Sequence, residues 1–264
     1  MLVVTTSSLL LSWSSIESQG ASDQVITVAT RPRVTEMVVV VRPPAKPAAT
    51  IVVLVGGLGK LDLTSRGLPR DAPGPLAKRR ERLAGQGFAV AFVDAPSDRR
   101  GEGLIGFRTS REHSVDLGAV IARLRHDDPV PVWLVGTSMG TVSAASGAAR
   151  LGNDGPDGLV LISSVTRTHP AMRESLADIP LESIQVPTLI LHHRQDPCEI
   201  TPYDDALALP RRLTRARRVE FVALDGGPPA QGLPCGPESP HAFVGMEDVL
   251  IDRLASWITR TPVR

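Results

Sequence analysis

Val132-Trp133-Leu134-Val135-Gly136-Thr137-Ser138-Met139-Gly140 runs from an apolar stretch, through a serine with glycine two residues to either side, into the small residues Thr141-Val142-Ser143-Ala144-Ala145. The apolar run, from Val130 to Val135, has the length of a buried strand, and Met139 to Leu151 reads as a helix. Glycines at 136 and 140 let the chain bend tightly between the two. The order strand, turn, helix lifts the Ser138 hydroxyl onto the tip of a strand, which is the pattern of a nucleophile elbow. A bare five-residue match is common; the flanking strand and helix give this one its weight.

Working outward, further apolar runs alternate with helical patterns. Gln24 to Arg31 and Glu36 to Arg42 read as two extended segments that pair as an antiparallel edge, after which Pro43-Pro44-Ala45-Lys46-Pro47 breaks the chain. Thr50 to Val55 is a buried strand running into Gly56-Gly57-Leu58-Gly59, Leu76 to Gln86 a helix stopped by Gly87, and Phe88 to Asp94 another strand. Thr109-Ser110-Arg111-Glu112 fits a capping box that opens a helix through Ile121 and Leu124. Beyond the serine turn come strands at Gly158 to Val165, Val186 to His193 and Val219 to Leu224, then a closing helix from Glu247 to Ile258. Strands alternating with helices predict an α/β fold: a mostly parallel, doubly wound sheet with helices on both faces. Only about twenty residues separate Val165 from Val186, too few for a large lid. The Gly/Arg-rich stretch from Ala95 to Arg108 reads as a mobile pocket rim, and Thr166 to Ile184 as a second wall.

Composition narrows the function classes. With 264 residues and 42% apolar content the chain can bury one sizeable core, so residues 24–264 are read as a single domain. A formal net charge of +1 and 3% aromatics argue against a nucleic-acid partner. The basic clusters around Lys78-Arg79-Arg80 and from Arg211 to Arg218 read as solvated faces. Met1 to Ile16 is apolar and Ser/Thr-rich, but no Lys or Arg precedes Arg31, so the basic start of an export signal is missing. Residues 1–23 are read as an arm or a divergent signal segment; Leu9-Leu10-Leu11 is too short to span a membrane.

A serine hydroxyl is a weak nucleophile at neutral pH and needs a base, an orienting acid and donors for the developing oxyanion. Asp196 follows the apolar strand ending at His193 and is the expected acid, with Asp225 as the alternative; Asp204 and Asp205 read as surface residues near a helix start. Among six histidines only His241 follows both Asp196 and the last strand, which makes it the expected base and gives the chain order Ser, Asp, His. His113 and His126 fall on a helical pattern and read as solvent-facing. A metal site at His192, His193 and Asp196 is disfavoured, because adjacent residues on a strand point to opposite faces. The N–H of Met139, at the start of a helix, and that of Leu58, in the glycine loop, are the expected oxyanion donors. That loop lacks the spacing of a phosphate cradle. Arg108 and Arg167 are the candidates to pair with a substrate carboxylate, though each reads more readily as a surface charge.

In Gly136-Thr137-Ser138-Met139-Gly140, Val55-Gly56-Gly57-Leu58-Gly59, His193-Arg194-Gln195-Asp196 and Pro240-His241-Ala242-Phe243, the chain resembles the α/β-hydrolase superfamily from about Thr50 onward. The resemblance implies an eight-stranded, mostly parallel sheet, a triad of Ser138, Asp196 and His241, and oxyanion donors Leu58 and Met139. Gly56 stands where many members carry histidine, which leaves open what supports the loop. The short layout looks more like dienelactone-hydrolase-type and small esterase members than like capped lipases. The expected activity is hydrolysis of small carboxylic esters without a cofactor or metal, with thioesters, lactones and amides left open, and a non-catalytic binding protein on the same fold as the rival from another class. Oligomeric state is left open.

If such a triad forms, the loops carrying Cys198 and Cys235 must converge. A disulfide would then tie the acid loop to the base loop, a closure of about 37 residues worth roughly 3 to 4 kcal/mol. Two reduced, buried thiols are the alternative. A bridge would favour an exported location, against which stands the missing basic n-region.

Overall fold

The protein's structure, a computed structural model, describes residues 22–263; the segment Met1 to Ile16 lies outside the described residues. Eight strands form one sheet: β1 (Ser22–Arg31), β2 (Val34–Arg42), β3 (Ala49–Leu54), β4 (Phe88–Val93), β5 (Val132–Thr137), β6 (Gly158–Ile162), β7 (Thr188–His193) and β8 (Val219–Leu224). Their order is β1-β2-β4-β3-β5-β6-β7-β8. The β1–β2 and β2–β4 pairs are antiparallel and every later pair is parallel, so the antiparallel edge and parallel body expected from the sequence are both present.

Strand residues alternate strictly between two cores, as the period-two geometry of a pleated strand requires. Ala89, Ala91, Val52 and Leu134 face one side; Phe88, Val90, Phe92, Ile51 and Trp133 face the other. The first face is covered by α3 (Arg111–Asp127) and α4 (Gly140–Arg150), the second by α1 (Pro75–Lys78), α2 (Arg80–Gly85) and α6 (Glu247–Arg260). A further short helix, α5 (Tyr203–Ala208), follows β7. Trp133 stands edge-on to Trp257 of α6 at 5.2 Å between ring centres and lies across its register partner Gly158, where a Cβ would come within 2.0 Å of the indole. Glycine on β6 therefore makes the space for tryptophan on β5.

Three local expectations are corrected. The helix read from Leu76 to Gln86 is two pieces, broken at Arg79, whose φ of −119° leaves the helical region. The α3 cap is Ser110, whose Oγ accepts from the His113 N–H at 3.0 Å; Thr109 instead donates its hydroxyl to Glu174. His113 is buried, not solvent-facing, because α3 packs against β1 and its first turn lies beside the Phe107 ring, 5.6 Å between centres, and Glu36; His126, at the far end of the same helix, is exposed. Between β6 and β7 the chain forms only two short turns of 3₁₀ helix, Leu176–Asp178 and Leu181–Ser183, whose apolar residues join the core, so the sheet's C-terminal edge carries a minimal cap.

Candidate active site

β5 ends at Thr137 and α4 begins at Gly140, so the turn between them is two residues long. Ser138 occupies it with φ +53°, a strained conformation for a residue with a side chain. The flanking glycines are obligatory for reasons of space: a Cβ at Gly136 would lie 2.3 Å from the Gly140 carbonyl oxygen, and one at Gly140 would lie 1.9 Å from that of Leu54. Ser138 N–H donates to Ile162 O at 2.9 Å, and Thr141 Oγ1 donates to Ser138 O at 2.6 Å, fixing the turn from both sides.

Asp196 lies three residues beyond β7, and its carboxylate is buried. It accepts from Cys198 N–H on Oδ1 and from the Thr201 hydroxyl on Oδ2, at 3.0 and 2.9 Å. His241 Nδ1 lies 3.0 Å from Oδ2 and 3.2 Å from Oδ1. The His241 backbone is held in turn: Ser163 Oγ donates to its carbonyl at 2.7 Å, and its N–H donates to Ser239 Oγ at 3.2 Å. With Nδ1 committed to the carboxylate, Nε2 is the nitrogen left for other chemistry.

Ser138 and His241 line one cavity of about 440 Å³, mostly apolar, together with the Gly56-Gly57-Leu58 loop. That loop passes so close to the serine that a Cβ at Gly56 would lie 2.9 Å from Ser138 Cβ, which is why a side chain such as histidine has no room there. Among the described residues, the N–H groups of Leu58 and Met139 donate to no backbone or side-chain acceptor. An imidazole backed by a carboxylate, a serine hydroxyl and the undonated Leu58 amide on one cavity, with the undonated Met139 amide directly after the serine, can support nucleophilic attack on an acyl group.

Cys198 and Cys235 form a disulfide, so the reduced-thiol alternative is set aside. The bridge joins the loop of Asp196 to the loop that leads to His241, and Cys235 itself lines the cavity. Asp225, the alternative acid, is exposed and accepts only from the N–H of its neighbour Gly226. His192 and His193 take opposite faces: His192 Nε2 meets Thr201 O at 2.9 Å, while His193 Nε2 meets Gly226 O at 3.0 Å. Burial lowers the pKa of His192 and keeps it neutral beside Asp196. Arg167 is exposed and paired with Asp205 at 2.7 Å.

The cavity walls differ from those expected. Neither Ala95 to Arg108 nor Thr166 to Ile184 contributes a residue; the walls come from Val53, Val55 to Leu58, the Pro73 to Lys78 stretch, Cys235 to Pro237 and the His241–Ala242 pair. Arg108 is fully buried rather than a surface charge. It lies on the far side of the glycine loop, donating to Gly57 O at 3.0 Å and to Ser143 Oγ at 2.7 Å. Sequence reasoning also missed Thr201, whose Oγ1 lies 3.1 Å from His241 Nδ1; a hydroxyl five residues after an acid is no signal by itself.

No protein-family model matches the chain, and no curated protein matches it in sequence. Solved structures do match in shape. An esterase of Pyrococcus furiosus superposes with a TM-score of 0.63 at 15% identity, covering 97% of this chain and 99% of its own. A cold-adapted esterase from an Arctic intertidal metagenomic library gives 0.61 at 16%, covering 93% and 99%, and a dienelactone hydrolase of Anabaena variabilis gives 0.61 at 14%, covering 93% and 100%. The chain has the α/β-hydrolase fold, which it shares with these structures over 93 to 97% of its length.

Proposed function

We propose that the protein is a serine hydrolase of small carboxylic esters, with Ser138 as nucleophile, His241 as general base and acid, and Asp196 as the orienting carboxylate. The observation that carries the reading is the buried Asp196–His241 contact at 3.0 Å behind a cavity that His241 shares with Ser138. Nearly full-length likeness to esterases and a dienelactone hydrolase supports the same class. Ser138 Oγ attacks the acyl carbon while His241 Nε2 takes its proton. Negative charge gathers on the former carbonyl oxygen, which the N–H groups of Leu58 and Met139 receive. His241 then protonates the departing alkoxide, and water, activated by the same imidazole, releases the acid from Ser138.

An apolar cavity of about 440 Å³ suits a small ester with an apolar acyl or alcohol part. Turnover of short-chain p-nitrophenyl esters tests the reading. Activity that disappears in Ser138→Ala and in His241→Ala supports it. Activity retained in either variant, or none in the wild type across a range of acyl lengths and of thioester and lactone analogues, overturns it.

A further inference from the structure

Gly57 has φ +54° and no Cβ, and a Cβ added there would meet nothing within 4 Å. Glycine at this position lets the peptide joining it to Leu58 take either orientation, while the Gly59 N–H bond to Gly56 O at 3.0 Å closes the turn around it. Its orientation decides which group faces the cavity, because the C=O of one residue and the N–H of the next point in opposite directions across a trans peptide. Turned one way, it offers the Leu58 N–H to the substrate. Turned the other way, it offers a carbonyl oxygen, which would repel an oxyanion.

We propose that Arg108 is the positioning residue that sets this peptide, holding the Gly57 carbonyl on the side away from the cavity so that the Leu58 N–H faces it. The inference rests on the ester-hydrolase reading for its catalytic consequence, but its structural half stands apart from that reading. The loop is sandwiched: Gly57 and Leu58 line the large cavity, while Arg108 lines a small enclosed void on the opposite side with Val55, Gly59 and Ser143. Arg108 Nη2 donates to Gly57 O at 3.0 Å and lies 3.4 Å from Val55 O, and Nη1 donates to Ser143 Oγ at 2.7 Å. Ser143 sits on α4, one turn into the helix that follows Ser138, so one guanidinium joins the loop after β3 to the helix that carries the nucleophile.

The surrounding sequence is shaped around this contact. A Cβ at Gly59 would fall 2.9 Å from Arg108 Nη2 and 2.5 Å from Leu104 Cδ1, and one at Gly103 would fall 2.6 Å from Leu58 O. Leu104 N–H donates to Leu58 O at 2.8 Å, so the next peptide along is fixed from the same segment. Arg108 remains protonated at neutral pH although burial lowers its pKa to about 10. Arginine suits the task because its planar fork reaches several acceptors at once, which an ammonium cannot do in one rigid plane. The segment from Ala95 to Arg108 is therefore the brace of the loop rather than a rim of the pocket, and it supplies the support that the absence of histidine at position 56 leaves open.

The test compares wild type with Arg108→Met and Arg108→Lys, normalised by active-site titration so that only competent molecules are counted. Loss of one oxyanion donor typically lowers kcat by 10²–10³. The expected result for Arg108→Met is a fall in kcat of about 100-fold with KM within about threefold. Affinity for a trifluoromethyl ketone, which forms an oxyanion on Ser138, should fall in parallel, while affinity for the product alcohol stays unchanged. Arg108→Lys should recover part of kcat. A kcat within threefold of wild type in folded Arg108→Met, or equal losses for the ketone and the alcohol, overturns the proposal. Should Arg108→Met not fold, Ser143→Ala frees one end of the guanidinium, and the expected fall in kcat of about tenfold at unchanged KM replaces it as the deciding result; no fall overturns the proposal. Crystal structures of the variants separate this inference from the ester reading. A Gly57 carbonyl turned into the cavity supports Arg108 as the brace whatever the enzyme hydrolyses, and an unmoved peptide in Arg108→Met refutes it.

Discussion

The two halves of the site are held by opposite means. On one side, the loops after β7 and β8 bring Asp196 to His241, and the Cys198–Cys235 bond ties them covalently across 37 residues. On the other, the loop after β3 has no covalent tie and leans on a buried cation and backbone hydrogen bonds from the segment before α3. The difference follows from the local chain. The 225–239 stretch contains Gly226, Gly227, Gly232 and Gly236, and most of it is exposed, so little packing is available to place it. The glycine loop is enclosed by core on its inner side, where a charged group is desolvated and its hydrogen bonds are strong. A cross-link suits a loop in solvent; a guanidinium suits one against the core.

The largest expected effect breaks the acid–base half outright. Asp196→Asn keeps the shape but offers an amide to the His241 ring and favours the wrong tautomer, so kcat should fall about 10⁴-fold in steady-state ester kinetics. The neighbouring Thr201→Val removes only one hydroxyl donor to the carboxylate and should cost about tenfold. A larger loss for Thr201→Val than for Asp196→Asn would reverse the assignment of roles.

Next in size is the disulfide. Replacing both cysteines by serine should lower the free energy of unfolding by about 3 to 4 kcal/mol in urea titration. It should lower kcat only a few-fold, since the Asp196 contacts to the Cys198 and Thr201 groups are made within one loop. A fall in kcat as large as that of Asp196→Asn at unchanged stability would mean that the bridge places the triad and does not merely stabilise it.

A last pair of predictions concerns the buried groups near Arg108. His113 is buried with neither ring nitrogen partnered among the described residues, and its pKa is lowered to about 3 by burial and by Arg108 and Arg31. A depressed value means that the native state resists the proton that the unfolded chain accepts near 6.5. Stability from this group is therefore complete above that pH and is lost as the pH falls toward 3. Glu36, also buried and unpartnered, has the opposite shift: burial, then the negative charge of Asp116, raises its pKa. Its ionisation penalises the native state as the pH rises above the ordinary carboxylate value. His113→Gln should flatten the acid side of the stability curve and Glu36→Gln the neutral side, both by urea titration from pH 4 to 8. Unchanged curves would show that these groups titrate alike in both states.

What the sequence made legible was local. The alternation of Phe88, Val90 and Phe92 against Ala89 and Ala91 and the glycines around Ser138 are short-range patterns set by strand periodicity and turn geometry. Cys198 and Cys235 were legible through the loops that such a site must bring together. Arg108 was not, because its partners lie 35 to 53 residues away and nothing near it in sequence marks an arginine as buried. His113 was misplaced for the same reason: its helix is amphipathic, but the first turn lies beside Phe107 and Glu36, contacts that periodicity along one helix does not specify. The cavity walls from Pro73 to Lys78 belong to a short, irregular helical piece that brings Leu76 and Ala77 to the cavity.

The central claim, that Ser138 is the nucleophile, is tested most directly by covalent labelling. A fluorophosphonate should modify one residue of the folded protein, on the peptide containing Ser138, and abolish ester turnover in proportion to labelling, with no modification of Ser138→Ala. Equal labelling of wild type and Ser138→Ala, or full labelling of Ser138 with turnover intact, would contradict it.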